Sequence, residues 1–391
     1  MKDTMKILGI IAEYDPFHNG HLRHIRLARE AVQPDFIYIA LSGCLKQRGE
    51  AALLSPYERA RCALLAGADA VFALPAAWTV RDAEHYAMGA VSLLSRLGVT
   101  HLAFGAETED PALLREAAEK LEYPEEAFRD RLRQLLGSGM GYPQAMSRAL
   151  AAEKAAYGEI LEKPNNILAV CYLRALMRLK AEIAPVPVLR RGGYHATRID
   201  REEPSASALR GALGRGAYFF GVWEAMPACS REGLTRALLA GSVPRRERID
   251  AMALARLRSM SREELRQVPD VSEGLEDRIQ KAAARADSLE ELLEAVSGKR
   301  YPKARISRIC AWALLGTEKN ALEAMPLPEK AVLLGLRNRP EMTALWREKQ
   351  PLVTTDFTEE TDLRAWKLWG LWAGFPDTLP HTEKVIRIEN E

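Results

Sequence analysis

Over the first hundred residues one alternation repeats: a short apolar run rich in β-branched residues, a turn, then a stretch with apolar residues three and four apart. Ile7 to Ala12, Phe36 to Ser42, Ala70 to Leu74 and His101 to Gly105 read as strands. Gly20 to Ala31, Pro56 to Ala66 and Ala83 to Leu97 read as the helices between them. Strands joined by crossover helices pair in parallel, so the pattern predicts an α/β fold on a doubly wound parallel sheet. From Pro111 to about Arg178 the periodicity is helical throughout, which predicts a helical insertion at about 107–180, and a fifth strand is expected at Val186 to Arg190. After Ser205 the pattern reads as helix only, with capping signatures at Ser261-Arg-Glu-Glu264 and Ser288-Leu-Glu-Glu291. A boundary near Gly221 to Ser230 would divide a catalytic domain, 1–225, from an α-helical one, 226–391.

Composition narrows the class. A chain of 391 residues is long enough for two or three domains, and 48% hydrophobic with 28% charged residues excludes disordered and collagen-like classes. Lys and Arg total 55 against 53 Asp and Glu, so a nucleic-acid partner would have to be held by a local basic patch. The five cysteines (Cys44, Cys62, Cys171, Cys229, Cys310) form no C-x-x-C, which argues against a disulfide framework and a structural metal. The apolar run within Met1 to Ala12 is too short for a signal-peptide core or a membrane span, and the expectation is a reduced, cytoplasmic protein.

The segment Gly9-Ile-Ile-Ala-Glu-Tyr-Asp-Pro-Phe-His-Asn-Gly-His21 runs off the first strand into the first helix. In a doubly wound sheet that is where ligands sit, and a helix N-terminus offers unpaired N–H groups to a phosphate. Gly20 permits close backbone approach, and the imidazoles of His18 and His21, three apart, can donate to phosphate oxygens as charge builds up there. The plainer reading is that they merely cap the helix. Far downstream, Pro204-Ser-Ala-Ser-Ala-Leu-Arg210 sets Ser205 and Ser207 before another helix, with Arg210 placed to neutralise a leaving pyrophosphate.

This pairing resembles the nucleotidyltransferase superfamily with the H-x-G-H signature. The first string is similar to the opening of the tRNA(Met) cytidine acetate ligases. So are Ser42-Gly43 with Gln47-Arg-Gly-Glu50, Ala83-Glu84 with Gly89-Ala-Val91, Phe104-Gly105, and Pro164-Asn-Asn-Ile-Leu-Ala169. In the second half the resemblance continues in Asp270-Val-Ser-Glu-Gly-Leu-Glu276, Arg278-Ile279, Lys299-Arg-Tyr301, Arg305 and Arg308, covering about 6 to 336. It implies a Rossmann-like nucleotidyltransferase followed by a tRNA-binding helical domain. The implied reaction joins acetate and ATP as acetyl-adenylate, then passes the acetyl group to the wobble cytidine of elongator tRNA(Met). Implied ATP contacts are Ile11, Ala12, Asp15, Phe17, His18, Gly20, His21, His24, Gly105, Asn165 or Asn166, and Arg190 or Arg191, with Ser205 and Ser207 at the phosphates and Mg2+ on the triphosphate. His18, His21 and Arg210 are the expected catalytic groups.

Lys299, Arg300, Lys303, Arg305 and Arg308 form an acid-free run around Tyr301, the expected RNA contact, which Arg190, Arg191, Arg198, Arg201 and Arg215 would extend. Cys44 is expected to be an inert small hydrophobe, and Trp366, Trp369 and Trp372 a core stripe. The chain departs from the family pattern at Pro56-Tyr57-Glu58-Arg59, which keeps an arginine but lacks the usual lysine, at Cys44, and at Ala196. Two other readings compete: an adenylyltransferase acting on another small carboxylate or a phosphorylated acceptor, and a tRNA-binding protein whose catalytic half has decayed.

Overall fold

The structure is a computed structural model that describes residues 5–190, 199–214, 220–272, 274–348, 352–375 and 384–389. Arg191, Ala196, Arg198 and Arg215 lie outside the described residues.

Five strands, β1 (Ile7–Ala12), β2 (Phe36–Ser42), β3 (Ala70–Leu74), β4 (His101–Ala106) and β5 (Ala184–Leu189), pair in parallel in the order β5-β4-β1-β2-β3. Every residue of β2 is buried, as a strand covered on both faces requires. The connecting helices are α1 (Asn19–Val32), α2 (Pro56–Leu65), the single turn α3 (Ala76–Thr79) and α4 (Ala83–Arg96). Local chemistry sets their starts. Ser55 accepts the Glu58 N–H ahead of Pro56, and Asp82 accepts those of Glu84 and His85.

Between β4 and β5 lie α5 (Pro111–Glu122), α6 (Glu126–Gly137), α7 (Tyr142–Ala151), α8 (Ala155–Ile160) and α9 (Pro164–Leu179), the helical insertion. Helix α9 packs along α4, and Arg174 bridges Glu84 and Glu122 at 2.9 and 3.1 Å.

Beyond β5 come α10 (Ala206–Gly214), α11 (Phe220–Glu224), α12 (Ala228–Leu239), α13 (Arg246–Ser259), α14 (Arg262–Gln267), α15 (Leu275–Ala283), α16 (Leu289–Val296), α17 (Lys303–Leu315) and α18 (Lys319–Glu323). The helix-only expectation for this half then needs correction. The chain returns to the sheet as β6 (Ala331–Arg337), continues through α19 (Pro340–Glu348), β7 (Val353–Thr354) and α20 (Glu360–Ala373), and ends in β8 (Ile386–Ile388). Strand β6 lies antiparallel beside β3 and carries β7 and β8 on its other side. Ala-Val-Leu-Leu-Gly-Leu is apolar without alternation, a run that periodicity cannot tell from buried helix.

The expected division into 1–225 and 226–391 does not fall at a break in packing. A small core joins Leu209 and Val222 to Leu234 across it, and the main core runs from the sheet into α13 to α17 and α20. The insertion also meets the second half. A Cβ at Gly141 would lie 2.6 Å from the Lys299 carbonyl oxygen. Replacing Gly141 with Ala should therefore cost about 1–3 kcal/mol through overpacking. A denaturant midpoint equal to that of the parent protein would show that the two parts do not press together there.

Candidate active site

The carboxyl ends of β1 and β4 and the N-terminus of α1 open onto a cavity of about 370 Å³. Its floor comes from the turn between β1 and α1. Tyr14 takes a left-handed backbone, φ 49°, a conformation costing on the order of 1–3 kcal/mol that surrounding contacts must hold. Its ring lies 4.8 Å from those of Phe17 and His21, so Phe17 supports the turn from beneath and does not line the cavity.

His18 caps α1, and its N–H donates to His21 Nδ1 at 3.3 Å. That bond makes Nδ1 the acceptor and leaves the His21 proton on Nε2. The two rings stack 3.6 Å apart. Both ring nitrogens of His18 are buried and take no hydrogen bond from any described residue. Burial first, then the charges of Arg190 and Arg210, lower the His18 pKa to about 3. Burial first, then His18 and Arg190, hold His21 well below its usual range. Both imidazoles are thus neutral at physiological pH and offer donors rather than charge. Gly20 has a local reason: a Cβ there would come within 3.1 Å of His18 Cε1, so the glycine makes room for that ring.

Asn19, for which the sequence suggested no role, brings in the remote segment. Its side chain donates to the carbonyls of Arg201 and Glu224, each at 2.7 Å, and its N–H to Ala225 at 3.0 Å. Helix α10 is thereby held with its N-terminus at the cavity. Ser205 caps it, accepting the Ala208 N–H, and Ser207 and Arg210 line the same wall as His18 and His21. Arg210 donates to the Asp15 carbonyl at 2.7 Å and Arg190 to that of Pro204 at 3.3 Å.

Ile11, Ala12, Asp15, His24, Gly105 and Arg190 also line the cavity. A Cβ on Gly105 would meet nothing within 4 Å, so a larger residue would project into open space beside β4. The two asparagines separate: Asn165 lines the cavity, whereas Asn166 is buried and accepts the Glu107 N–H at 2.7 Å. His24 is lowered to about 4, chiefly by burial, although its hydrogen bond to the Phe104 backbone works the other way.

Two further groups in the wall escaped sequence reading. Lys46 pairs with Glu50 at 2.5 Å and with Asp15 at 3.3 Å, and Arg210 approaches Glu50 at 3.6 Å. The i,i+4 spacing within Lys46-Gln-Arg-Gly-Glu50 was visible, but as a loop it carried no helical meaning. Arg59, the arginine kept from the family pattern, is fully buried outside the cavity wall and donates to the carbonyls of Glu13, Leu54 and Gly43. Cys44 is buried and its thiol pKa pushed well up by that burial, which leaves it inert.

The basic run at 299–308 is only partly free. Arg305 donates to the Asp270 carbonyl, buried Arg308 pairs with the Asp270 carboxylate at 2.7 Å, and Lys303 pairs with Glu290. Lys299 and Arg300 are exposed. The guanidinium groups of Arg278, Arg300 and Arg305 gather 5.5–5.6 Å from the Tyr301 ring. Trp366, Trp369 and Trp372 are buried, and Trp369 donates to the Ala52 carbonyl.

A parallel sheet with paired imidazoles at the mouth of its first helix, met by a serine-arginine turn from a distant one, defines a nucleotidyltransferase site. A family model described as HIGH Nucleotidyl Transferase matches residues 5–357. The tRNA(Met) cytidine acetate ligase of Acetivibrio thermocellus is 34% identical over 92% of this chain and 90% of its own. That of Syntrophomonas wolfei is 36% identical over 82% and 78%. This chain belongs to the tRNA(Met) cytidine acetate ligase family. The crystal structure of Thermotoga maritima TmcAL without ligand, 28% identical, superposes with a TM-score of 0.91 over 99% of this chain and 100% of that one. The same protein bound with alpha-thio ATP gives 0.89 over the same shares.

The depressed imidazoles set a pH dependence. Below about 6.5 the unfolded chain takes up protons at His18 and His24 that the folded protein refuses until about 3 and 4. Stability is therefore complete above 6.5 and declines as the pH falls through that window, by about 1.4 kcal/mol per pH unit for each such group. In His18→Asn the loss between pH 7 and pH 4, read from urea denaturation, should shrink. An unchanged loss would mean that His18 is not held neutral.

Proposed function

We propose that this protein activates acetate with ATP as acetyl-adenylate and transfers the acetyl group to the wobble cytidine of elongator tRNA(Met), forming N4-acetylcytidine. The observation that carries this reading is the meeting of His18 and His21 with Ser205, Ser207 and Arg210 on one cavity wall. The names of the relatives supply the acceptor and the acid.

Acetate is already ionised at neutral pH, so the first step needs no general base. One acetate oxygen attacks the α-phosphorus of ATP as the bond to pyrophosphate breaks. Catalysis then reduces to aligning the reactants and stabilising charge on the phosphoryl oxygens. The His21 Nε2–H and a ring N–H of His18 would donate to those oxygens, and neutral donors suit the task because they stay in place before and after charge shifts. Arg190, Arg210, Ser205 and Ser207 would hold the departing pyrophosphate. In the second step the cytidine N4 attacks the acetyl carbonyl, AMP leaves, and N4 gives up a proton.

Ile11, Ala12, Gly20, His24, Gly105 and Asn165 would meet the nucleotide, with Gly105 leaving room at the end of β4. Magnesium would enter on the triphosphate and screen its charge. Among the described residues no three His, Cys, Asp or Glu side chains gather as a metal site. Asp15 and Glu50 are engaged by Lys46 and Arg210.

Among the described residues no helix is long and apolar enough to cross a membrane. A tRNA acceptor sets the reaction in the cytoplasm. The exposed pair Lys299 and Arg300, with Arg278 beside Tyr301, would meet tRNA phosphates. Arg305 and Arg308 would act by holding the 270 loop in place.

Two outcomes test the reading. His21→Ala should slow acetate-dependent ATP–pyrophosphate exchange about 10²- to 10³-fold, the usual effect of losing one such donor. Undiminished exchange would remove the assigned role. Joint replacement of Lys299 and Arg300 by Ala should weaken tRNA binding and flatten its dependence on salt by about one unit of slope per lost phosphate contact, with exchange intact. An unaltered slope would place the RNA surface elsewhere.

A further inference from the structure

The loop from Cys44 to Ala52 buries the Lys46 side chain and leaves that of Glu50 half in solvent. Its backbone closes on itself: Lys46 N–H donates to the Glu50 carbonyl and Ala52 N–H to that of Cys44, both at 2.9 Å. Gln47 is tied to Glu13 through its N–H, and its side chain donates to the Arg81 carbonyl. Gly49, at φ 81°, lets the loop press on α17, since a Cβ there would lie 2.9 Å from the Arg308 Cα. The Lys46 side chain is 3% exposed and the Glu50 side chain 47%.

The two carboxylates beside Lys46 are not equivalent. Asp15 is buried, with one oxygen accepting the Leu53 N–H at 2.6 Å, and serves as a permanent counter-ion. Glu50 lies half in solvent, shared between Lys46 and Arg210. Together the four groups sum to zero charge. Without Glu50 the cluster carries one positive charge, the sign an oxyanion needs. Glu50 reaches buried Lys46 from the solvent side, so its carboxylate can pass into water when another anion takes its place. A second observation points to a ligand: the ring nitrogens of His18, in the same cavity, are buried without a partner among the described residues. The attraction of Lys46 and Arg210 outweighs the opposing effect of burial and lowers the Glu50 pKa to about 2, so its carboxylate is charged at any working pH.

We propose that Lys46 and Arg210 form a subsite for a reactant oxyanion, and that the Glu50 carboxylate occupies it until the reactant displaces it. The proposal rests on the adenylate-forming reading, which supplies two such anions, the substrate carboxylate and the leaving pyrophosphate. Glu50 then acts as a resident competitor that neutralises the subsite between turnovers. Lys46 supplies from the second strand's loop a cation that the start of α2 lacks.

The test is calorimetric titration of the intact protein with inorganic pyrophosphate and, separately, with acetate. Glu50→Gln keeps the side chain's size and removes its charge, and should tighten binding of one of the two anions about tenfold. Lys46→Met keeps the stem and should weaken that same anion at least tenfold, with Lys46→Arg restoring part of the loss. Tightening confined to pyrophosphate assigns the subsite to the leaving group, and tightening confined to acetate assigns it to the nucleophile. Affinities for both anions that are unchanged or weaker in Glu50→Gln overturn the proposal, whatever Lys46→Met does to folding. Titration of the parent protein with ATP separates the two levels. A parent that binds no ATP sinks both the adenylate reading and the subsite, whereas one that binds ATP while Glu50→Gln changes nothing sinks the subsite alone.

Discussion

The turn from β1 into α1 cannot satisfy its own backbone, and the architecture around the cavity answers that demand. Six residues, 13 to 18, leave the sheet without a ladder partner and enter a helix whose first N–H groups have none. The Glu13 carbonyl is met by Arg59, that of Asp15 by Arg210, and the Asp15 carboxylate by the Leu53 N–H. Asn19 fastens the helix start to Arg201 and Glu224. These partners come from α2, from the loop before it and from the segment around α10. Of these groups Arg210 also lines the cavity, so the contacts that complete the turn bring α10 to the site as well.

Burial of that turn fixes its electrostatics. The buried imidazoles, that of His21 against Tyr14 and Phe17 and that of His18 stacked on it, have two guanidinium groups nearby and are neutral at physiological pH. Permanent charge instead comes from arginine and lysine. The site thus divides its labour. In the proposed reaction, directional neutral donors would face the phosphoryl centre, and the cations that line the same cavity would meet the polyphosphate charge.

Much of this was legible in the chain. The four early strands and their crossovers showed themselves because buried parallel strands are short apolar runs and crossovers are periodic. The string ending at His21 and the turn at Ser205 were legible because each sits where a strand or loop becomes a helix. Less accessible was anything that depends on which distant backbone group needs a partner. Asn19 looks like an ordinary helix-start residue, and the arginine kept at Arg59 shows no inward role, until the carbonyls they reach are known. Strand β6 was hidden by its uniform apolarity. The basic run around Tyr301 gives no sign that Asp270, 35 and 38 residues earlier, engages Arg305 and Arg308.

Two glycines join the halves of the molecule through their lack of a side chain. Gly141 rests on the backbone at Lys299, and Gly49 on the backbone at Arg308. Both ends of one short stretch, the basic run and the first turns of α17, thus meet backbone of the first half, on one side that of the insertion and on the other that of the loop bearing Lys46. Backbone against backbone is a stiff coupling with no side chain to absorb a shift. If tRNA settles on the outer face of that stretch as proposed, its arrival would press on the loop that carries Lys46 and Glu50 into the cavity wall.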